Sequence, residues 1–319
     1  MLVIVAPGQG AQTPGFLSPW LELDGVADRL RGWSEVAGLD LVRAGTEADA
    51  EEIKDTAVAQ PLLVAAGLVT ARALFPDEDA ARALVGAVAG HSVGEITAAA
   101  GAGVLSASDA LTFVRERSLA MAEAAAATET GMLALLGGDA EEVAAKLAEH
   151  GLTAANNNGG GQIVAAGTLA QLEALRADPP AASRLVSLKV AGAFHTSHMA
   201  PGVERLAKLA PSLPVADPKV AYVSNRDGEV VASGAEVLDR LVSQVSNPVR
   251  WDLCMETLRR LGATAVIELA PAGTLTGLVK RNLKGVATLA LKTPADLDKA
   301  RGLVAEHGGQ QQEQQEQQA

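Results

Sequence analysis

The stretch Leu84-Val85-Gly86-Ala87-Val88-Ala89-Gly90-His91-Ser92-Val93-Gly94-Glu95, which leads into a long Ala-rich run, is the most informative in the chain. Its first half is a short apolar segment of the kind that forms a strand buried on both faces. Its second half is a glycine-bounded turn entering a helix, so the order is strand, tight turn, helix. Gly90-His91-Ser92-Val93-Gly94 matches Gly-x-Ser-x-Gly, and this setting is the one in which that pattern presents a nucleophilic serine. The glycines leave room for the bend, the Ser92 hydroxyl projects into open space, and N–H groups at the helix start face a developing oxyanion. As five bare residues the pattern also fits a glycine-rich turn with a capping serine; the flanking strand and helix favour the nucleophile.

On the N-terminal side, residues 2–5 form a second apolar β-branched run that stops at Pro7-Gly8, a buried parallel strand entering a loop. Residues 61–74 read as a helix opening at Pro61 with Leu62, Leu63 and Ala66 on one face, and residues 108–125 as another, capped by Ser108-Asp109. Between residues 131 and 190 the pattern changes: strands over 132–136, 162–166 and 184–190 alternate with helices over 140–150 and 168–176. Such a β-α-β-α-β run is a small α+β unit, with turn-rich Asn156-Asn157-Asn158-Gly159-Gly160-Gly161 among its loops. Strands over 220–224 and 265–269 and helices over 235–244 and 251–261 then restore the alternation of the N-terminal third, giving one α/β domain interrupted by a smaller insert. The Gln-rich residues 308–319 offer almost nothing to bury and are expected to be disordered.

The 319 residues suffice for about two compact units. At 48% hydrophobic and 20% charged, with no uninterrupted apolar run of spanning length, the chain is not expected to be a membrane protein. A net charge of −12 argues against nucleic acid. The single cysteine, Cys254, can close no internal disulfide, and the opening residues lack a basic n-region, so a cytoplasmic location is expected.

A serine hydroxyl needs a base, and the chain has five histidines. His307 borders the tail, His150 ends a charged helix and His91 adjoins Ser92 on the turn, which leaves His195 and His198, both in Ala193-Phe194-His195-Thr196-Ser197-His198-Met199. Pro7-Gly8-Gln9-Gly10-Ala11-Gln12 follows a strand but has Thr13 where a dinucleotide loop needs its third glycine, so it fits a second oxyanion donor better than a phosphate cradle. Arg115 and Arg117 are equal candidates for an anion-binding arginine.

Pro7-Gly8-Gln9-Gly10-Ala11-Gln12, Gln60-Pro61, Gly90-His91-Ser92-Val93-Gly94-Glu95, Arg117 with Met121, Ala193-Phe194-His195 and Asn247-Pro248-Val249, in that order across nearly the whole chain, resemble the malonyl-CoA:acyl carrier protein transacylases of fatty acid and polyketide synthesis. The resemblance implies an α/β-hydrolase-like catalytic domain, residues 1–127 and 192–307, with a parallel sheet and nucleophile elbow, interrupted over residues 128–191 by a ferredoxin-like α+β subdomain. It further implies Ser92 as acylated nucleophile, His195 as general base oriented by the backbone carbonyl of Gln244, and the N–H groups of Gln9 and Val93 as oxyanion hole. Arg117 would hold the malonyl carboxylate bidentately. Gln9, Phe194, Asn156, Asn158, Met121 and His91 would line the substrate, Phe194 leaving no room for an α-methyl branch.

Gly192 stands where the polyketide version often has histidine, which leans towards the fatty acid version. The Asn-rich loop leaves open which of Asn156 and Asn158 meets substrate. The implied partners are malonyl-CoA and acyl carrier protein, in a ping-pong transfer with no metal or redox cofactor, by a chain expected to be a monomer. Lys280, Arg281 and Lys284 are the candidate docking patch for the acidic carrier protein, although a solvated helix end whose cations complement the dipole is the weightier reading of them. A serine hydrolase and a non-catalytic carrier-binding subunit are the rival readings.

Overall fold

A computed structural model describes residues 1–188, 190 and 192–309. Most of the Gln-rich tail, from Gln310, lies outside the described residues, as does Lys189 within the strand expected over 184–190. The strands are β1 (Leu2–Ala6), β2 (Val85–Gly90), β3 (Thr130–Gly137), β4 (Thr153–Asn157), β5 (Gln162–Thr168), β6 (Ser183–Ser187), β7 (Ala221–Val223), β8 (Val230–Val231), β9 (Val249–Arg250), β10 (Ala265–Glu268) and β11 (Ala287–Ala290). They form a six-stranded sheet in the order β11-β10-β1-β2-β7-β8 and a five-stranded sheet in the order β6-β3-β5-β4-β9.

The large sheet is parallel except for the edge pair β7–β8. Every residue of β1 and β2 is buried, because helices cover both faces and strict alternation is not required. The period of two still sorts the side chains. Leu2, Ile4 and Val88 join the core beneath helices Thr56–Leu74, Gly94–Gly101 and Ala107–Ala126. Val3, Val5, Ala87 and Ala89 pack on the other face with Trp251, Met255, Leu275 and Leu278 of helices Trp251–Arg260 and Thr274–Asn282. The fold is α/β with a parallel central sheet, as expected.

Helix Thr56–Leu74 begins five residues before Pro61, because the Asp55 carboxylate accepts from the Ala57 N–H and caps the chain there. Pro61 therefore sits inside the helix and not at its first position. This is the one helix among the described residues long and apolar enough to cross a membrane, and it is mostly buried in the core. Helix Ala107–Ala126 is capped by Ser106 and not by Ser108-Asp109: Ser106 has extended dihedrals and its hydroxyl accepts from the Asp109 N–H, while Ser108 lies within the first turn.

The insert carries a strand that composition hides. Thr153–Asn157 pairs antiparallel with β5, so the order is β-α-β-β-α-β, the ferredoxin-like pattern, and Asn156 and Asn157 belong to a strand and not to a loop. The reversal is made by Gly159, Gly160 and Gly161, all at positive φ (69°, 55° and 73°). Its sheet also takes β9, from beyond the insert, parallel to β4 with Asn156 opposite Val249 and Asn157 opposite Arg250. The small sheet is thereby stitched to the wall of the large domain beside the end of β2.

Candidate active site

Ser92 lies between the last residue of β2 and the first turn of helix Gly94–Gly101, with φ at 53°. That left-handed conformation is costly for a residue with a Cβ, and its surroundings enforce it. A Cβ on Gly90 would come within 2.0 Å of the Gly94 carbonyl carbon, and one on Gly94 within 2.2 Å of the Ala6 carbonyl oxygen, so only glycine fits either side. The Ser92 N–H donates to Asn225 Oδ1 (2.8 Å), and Asn225 Nδ2 donates to the Gly90 carbonyl (2.7 Å), clamping the elbow from the end of β7.

His195 stands on a second strained turn, φ 62°, after the insert returns to the large domain. Its Nε2 is 2.7 Å from Ser92 Oγ and its Nδ1 is 2.9 Å from the backbone carbonyl of Gln244. A carbonyl only accepts, so Nδ1 carries the hydrogen and Nε2 is left to take one from Ser92. Burial, and secondarily the positive charge of Arg117, push the imidazole down to about 3, so it is neutral across the physiological range. The other histidines are engaged elsewhere or make no bond to Ser92. His150 faces Asp178, His307 bonds Thr264, and His91 Nε2 is 2.9 Å from Asn158 Oδ1 with its ring tilted against Trp251.

Arg117 is fully buried, whereas Arg115, two residues earlier on the same helix, is exposed. The Arg117 guanidinium donates to Gln60 Oε1 (2.6 Å), Gln244 Oε1 (2.6 Å) and Ser92 Oγ (3.2 Å). Its Nε is buried and has no acceptor among the described residues. Burial lowers its pKa to about 9, so it remains a cation at neutral pH without any carboxylate in ion-pair contact among the described residues. Met121, one turn on, receives the Gln60 amide at its sulfur (3.5 Å).

The loop after β1 carries Gln9. Gln9 is anchored by its amide to the Lys54 carbonyl (3.2 Å) and Thr56 Oγ1 (3.4 Å). The backbone N–H groups of Gln9 and Val93 meet no acceptor among the described residues. Phe194 is buried in the core beside His195. Asn158 is placed against His91, while Asn156 sits in the β4 ladder.

Lys280, Arg281 and Lys284 are exposed around the end of helix Thr274–Asn282, and none forms an ion pair among the described residues. Asn282, in the same turn, abuts the glycine loop, where a Cβ on Gly159 would lie 2.8 Å from its Oδ1. The basic end thus borders the loop that carries Asn158. Folding also gathers Glu149, His150 and Asp178, which sequence spacing did not suggest as a metal cluster; they sit at the surface, and Lys146 already pairs with both carboxylates.

Sequence reasoning missed Gln60 as an arginine partner, Asn225 as the elbow clamp, and the Gln244 side chain, whose amide joins Arg117 to Ser92. Gln60-Pro61 was at least visible as a motif; nothing in the sequence marks Asn225 or the Gln244 amide.

A serine on a strand-to-helix elbow, bonded to a histidine steered by a backbone carbonyl, is an arrangement suited to serine acyl transfer. The chain belongs to the acyl transferase domain family, which matches residues 3–313, and within it to the malonyl CoA-acyl carrier protein transacylases. It is 52% identical over 307 residues to the malonyl CoA-acyl carrier protein transacylase of Mycobacterium tuberculosis (strain ATCC 25618 / H37Rv), covering 95% of this chain and 100% of that one. With the Bacillus subtilis (strain 168) transacylase the identity is 34%, over 94% and 96% of the two chains.

Among solved structures, MCAT from Mycobacterium tuberculosis superposes with a TM-score of 0.91 at 52% identity, over 94% of this chain and 99% of that one. A malonyl-transacylase solved in complex with its type II PKS acyl-carrier protein superposes with a TM-score of 0.86 at 29% identity, over 94% and 99% of the chains.

Proposed function

We propose that this chain moves a malonyl group from malonyl-CoA to the phosphopantetheine thiol of an acyl carrier protein, through an ester on Ser92. In the first half-reaction His195 Nε2 accepts the Ser92 proton as Oγ attacks the thioester carbonyl. The C–S bond breaks, and the imidazolium returns the proton to the departing CoA sulfur. In the second, His195 takes the proton of the carrier thiol, sulfur attacks the malonyl ester, and Ser92 leaves with the proton restored. The free N–H groups of Gln9 and Val93 are suited to receive the oxyanion of each tetrahedral intermediate. Neither half-reaction consumes a redox equivalent, and the phosphopantetheine arm comes with the substrates.

The observation that carries the malonyl assignment is Arg117: a fully buried cation 3.2 Å from the nucleophile, with an N–H left over and only neutral acceptors around it. A site that holds a desolvated guanidinium with no carboxylate in direct contact is suited to receive one, and a neutral acetyl group would leave that direct contact unmade. Phe194, packed beside the base, would exclude an α-methyl branch. The patch Lys280, Arg281 and Lys284, bordering the Asn158 loop, is the docking surface we assign to the acidic carrier protein.

Intact-mass spectrometry after brief exposure to malonyl-CoA, acetyl-CoA or methylmalonyl-CoA tests the reading, beside Ser92→Ala. A malonyl adduct found in the unmutated protein and absent from S92A is expected. No adduct with accumulating malonate would replace the transferase with a hydrolase; no adduct and intact malonyl-CoA would leave a binding subunit.

A further inference from the structure

Glu95 takes part in none of these steps, yet its carboxylate is 2% exposed directly beneath the nucleophile, in the first turn of helix Gly94–Gly101. Its Oε1 accepts from the Tyr222 hydroxyl (3.0 Å) and from the Asn225 N–H (2.8 Å); its Oε2 accepts from Gln244 Nε2. Burial pushes its pKa up to about 7 against these donors, so the group is ionised at pH 8. No cation touches it among the described residues. Beside its through-space attraction for Arg117, it is linked to that residue by hydrogen bonds through the Gln244 amide, whose Oε1 accepts from Arg117 and whose Nε2 also donates to the Ser92 carbonyl (3.0 Å).

That amide has one workable orientation. A guanidinium can only donate, and an ionised carboxylate and a backbone carbonyl can only accept. Turned over, Gln244 would set N–H against Arg117 and oxygen against both Glu95 and Ser92, leaving buried groups unpaired on each side. The carboxylate therefore joins the Ser92 carbonyl in fixing which atom Arg117 meets.

We propose that Glu95 is a specificity-determining positioning residue: through the Gln244 amide, its carboxylate holds the Arg117 guanidinium in the orientation that receives the carboxylate of the substrate. The inference rests on the reading of Arg117 as the malonyl-binding group.

Glu95→Gln tests it at nearly constant volume. The Asn225 N–H is fixed in the backbone, so the oxygen of the new amide must stay beside it and its NH2 falls opposite Gln244 Nε2. Gln244 can then satisfy that NH2 only by turning over, which strips Arg117 of an acceptor. Gln244→Met breaks the same relay from the other end while keeping the backbone carbonyl that orients His195, and so covers the case in which E95Q fails to fold.

The readout is the rate of Ser92 acylation at pH 8 by malonyl-CoA and by acetyl-CoA, each measured by rapid quench and intact mass, with thermal melting as the check on folding. In E95Q the malonyl-to-acetyl ratio is expected to fall by about 30-fold, through the malonyl rate, with the acetyl rate held within about threefold; in Q244M the ratio is expected to fall in the same direction, whatever the absolute rates. An unchanged ratio, or equal losses in both rates, would overturn the inference and leave Glu95 a prop for the elbow. Arg117→Ala separates the two levels: collapse of the ratio in R117A alone removes the inference and keeps the reading of Arg117, whereas an unchanged ratio in R117A removes both.

Discussion

The molecule keeps cations in two very different places. Arg117 is dry, enclosed by Gln60, Gln244 and Ser92, while Lys280, Arg281 and Lys284 stand in water around the end of helix Thr274–Asn282. Burial works on the first by desolvation, against the nearby Glu95 carboxylate: its pKa falls to about 9, and a carboxylate that enters meets a charge little screened by water. The exposed three interact across water, screened within about 8 Å at physiological salt, and each pairwise contact is worth at most about 1 kcal/mol. A dry cation selects what is bound, and wet ones influence how quickly a charged partner arrives.

The hardest way to strain this contrast is to remove the Ser92 hydroxyl that Arg117 contacts. S92A is expected to lose the acyl-enzyme and about 10⁴-fold or more in turnover, and H195A to lose a similar amount, with the double variant little worse than either, as read by steady-state transfer assays. Arg117→Ala should lower kcat/KM for malonyl-CoA by about a thousandfold while its exposed neighbour Arg115→Ala leaves it within about twofold. Equal effects at the two positions would show that burial does not distinguish them.

Dryness also leaves a mark on stability. His195 is pushed from 6.5 down to about 3, so the folded state favours its neutral form. The stability this contributes is complete above about pH 6.5 and is lost as pH falls toward 3, because the unfolded chain takes up the proton first. Between pH 7 and pH 5 the unmutated protein should therefore lose about 2 kcal/mol more than H195Q, measured by urea denaturation at the two pH values. Parallel losses would mean that the imidazole is solvated.

The smallest effect belongs to the wet region. Reversing all three charges, K280E/R281E/K284E, should slow transfer to carrier protein by about tenfold at low salt, with the deficit shrinking as salt rises and acylation by malonyl-CoA unchanged. Transfer at the normal rate would move the docking surface elsewhere.

Much of this was legible residue by residue. Gly90 and Gly94 announce the elbow because no other side chain fits against Gly94 and Ala6, and the apolar runs at residues 2–5 and 84–89 announce a buried parallel sheet. Strand β4 was hidden because Thr153-Ala154-Ala155-Asn156-Asn157 has neither strong β propensity nor alternation; it is a strand because β5 and β9 pair with it on either side. The helix starts differ from the expected ones because several cap-type residues lie close together, and the structure uses Asp55 and Ser106, whose side chains accept from Ala57 and Asp109, and not Pro61 or Ser108. Of His195 and His198, local sequence could not choose; the Gln244 carbonyl, 49 positions away, does.

Whatever depends on neighbours along the chain was therefore readable from residue order alone: a glycine-bounded serine between strand and helix, a parallel α/β core, an interrupting α+β unit. Three-dimensional packing alone settled which arginine is dry, which histidine reaches the serine, and that Glu95, Gln244 and Arg117 form one hydrogen-bonded row. Those outcomes turn on desolvation and on the pairing of donors with acceptors. Both are set by which distant segments close over a side chain, and no local pattern records them.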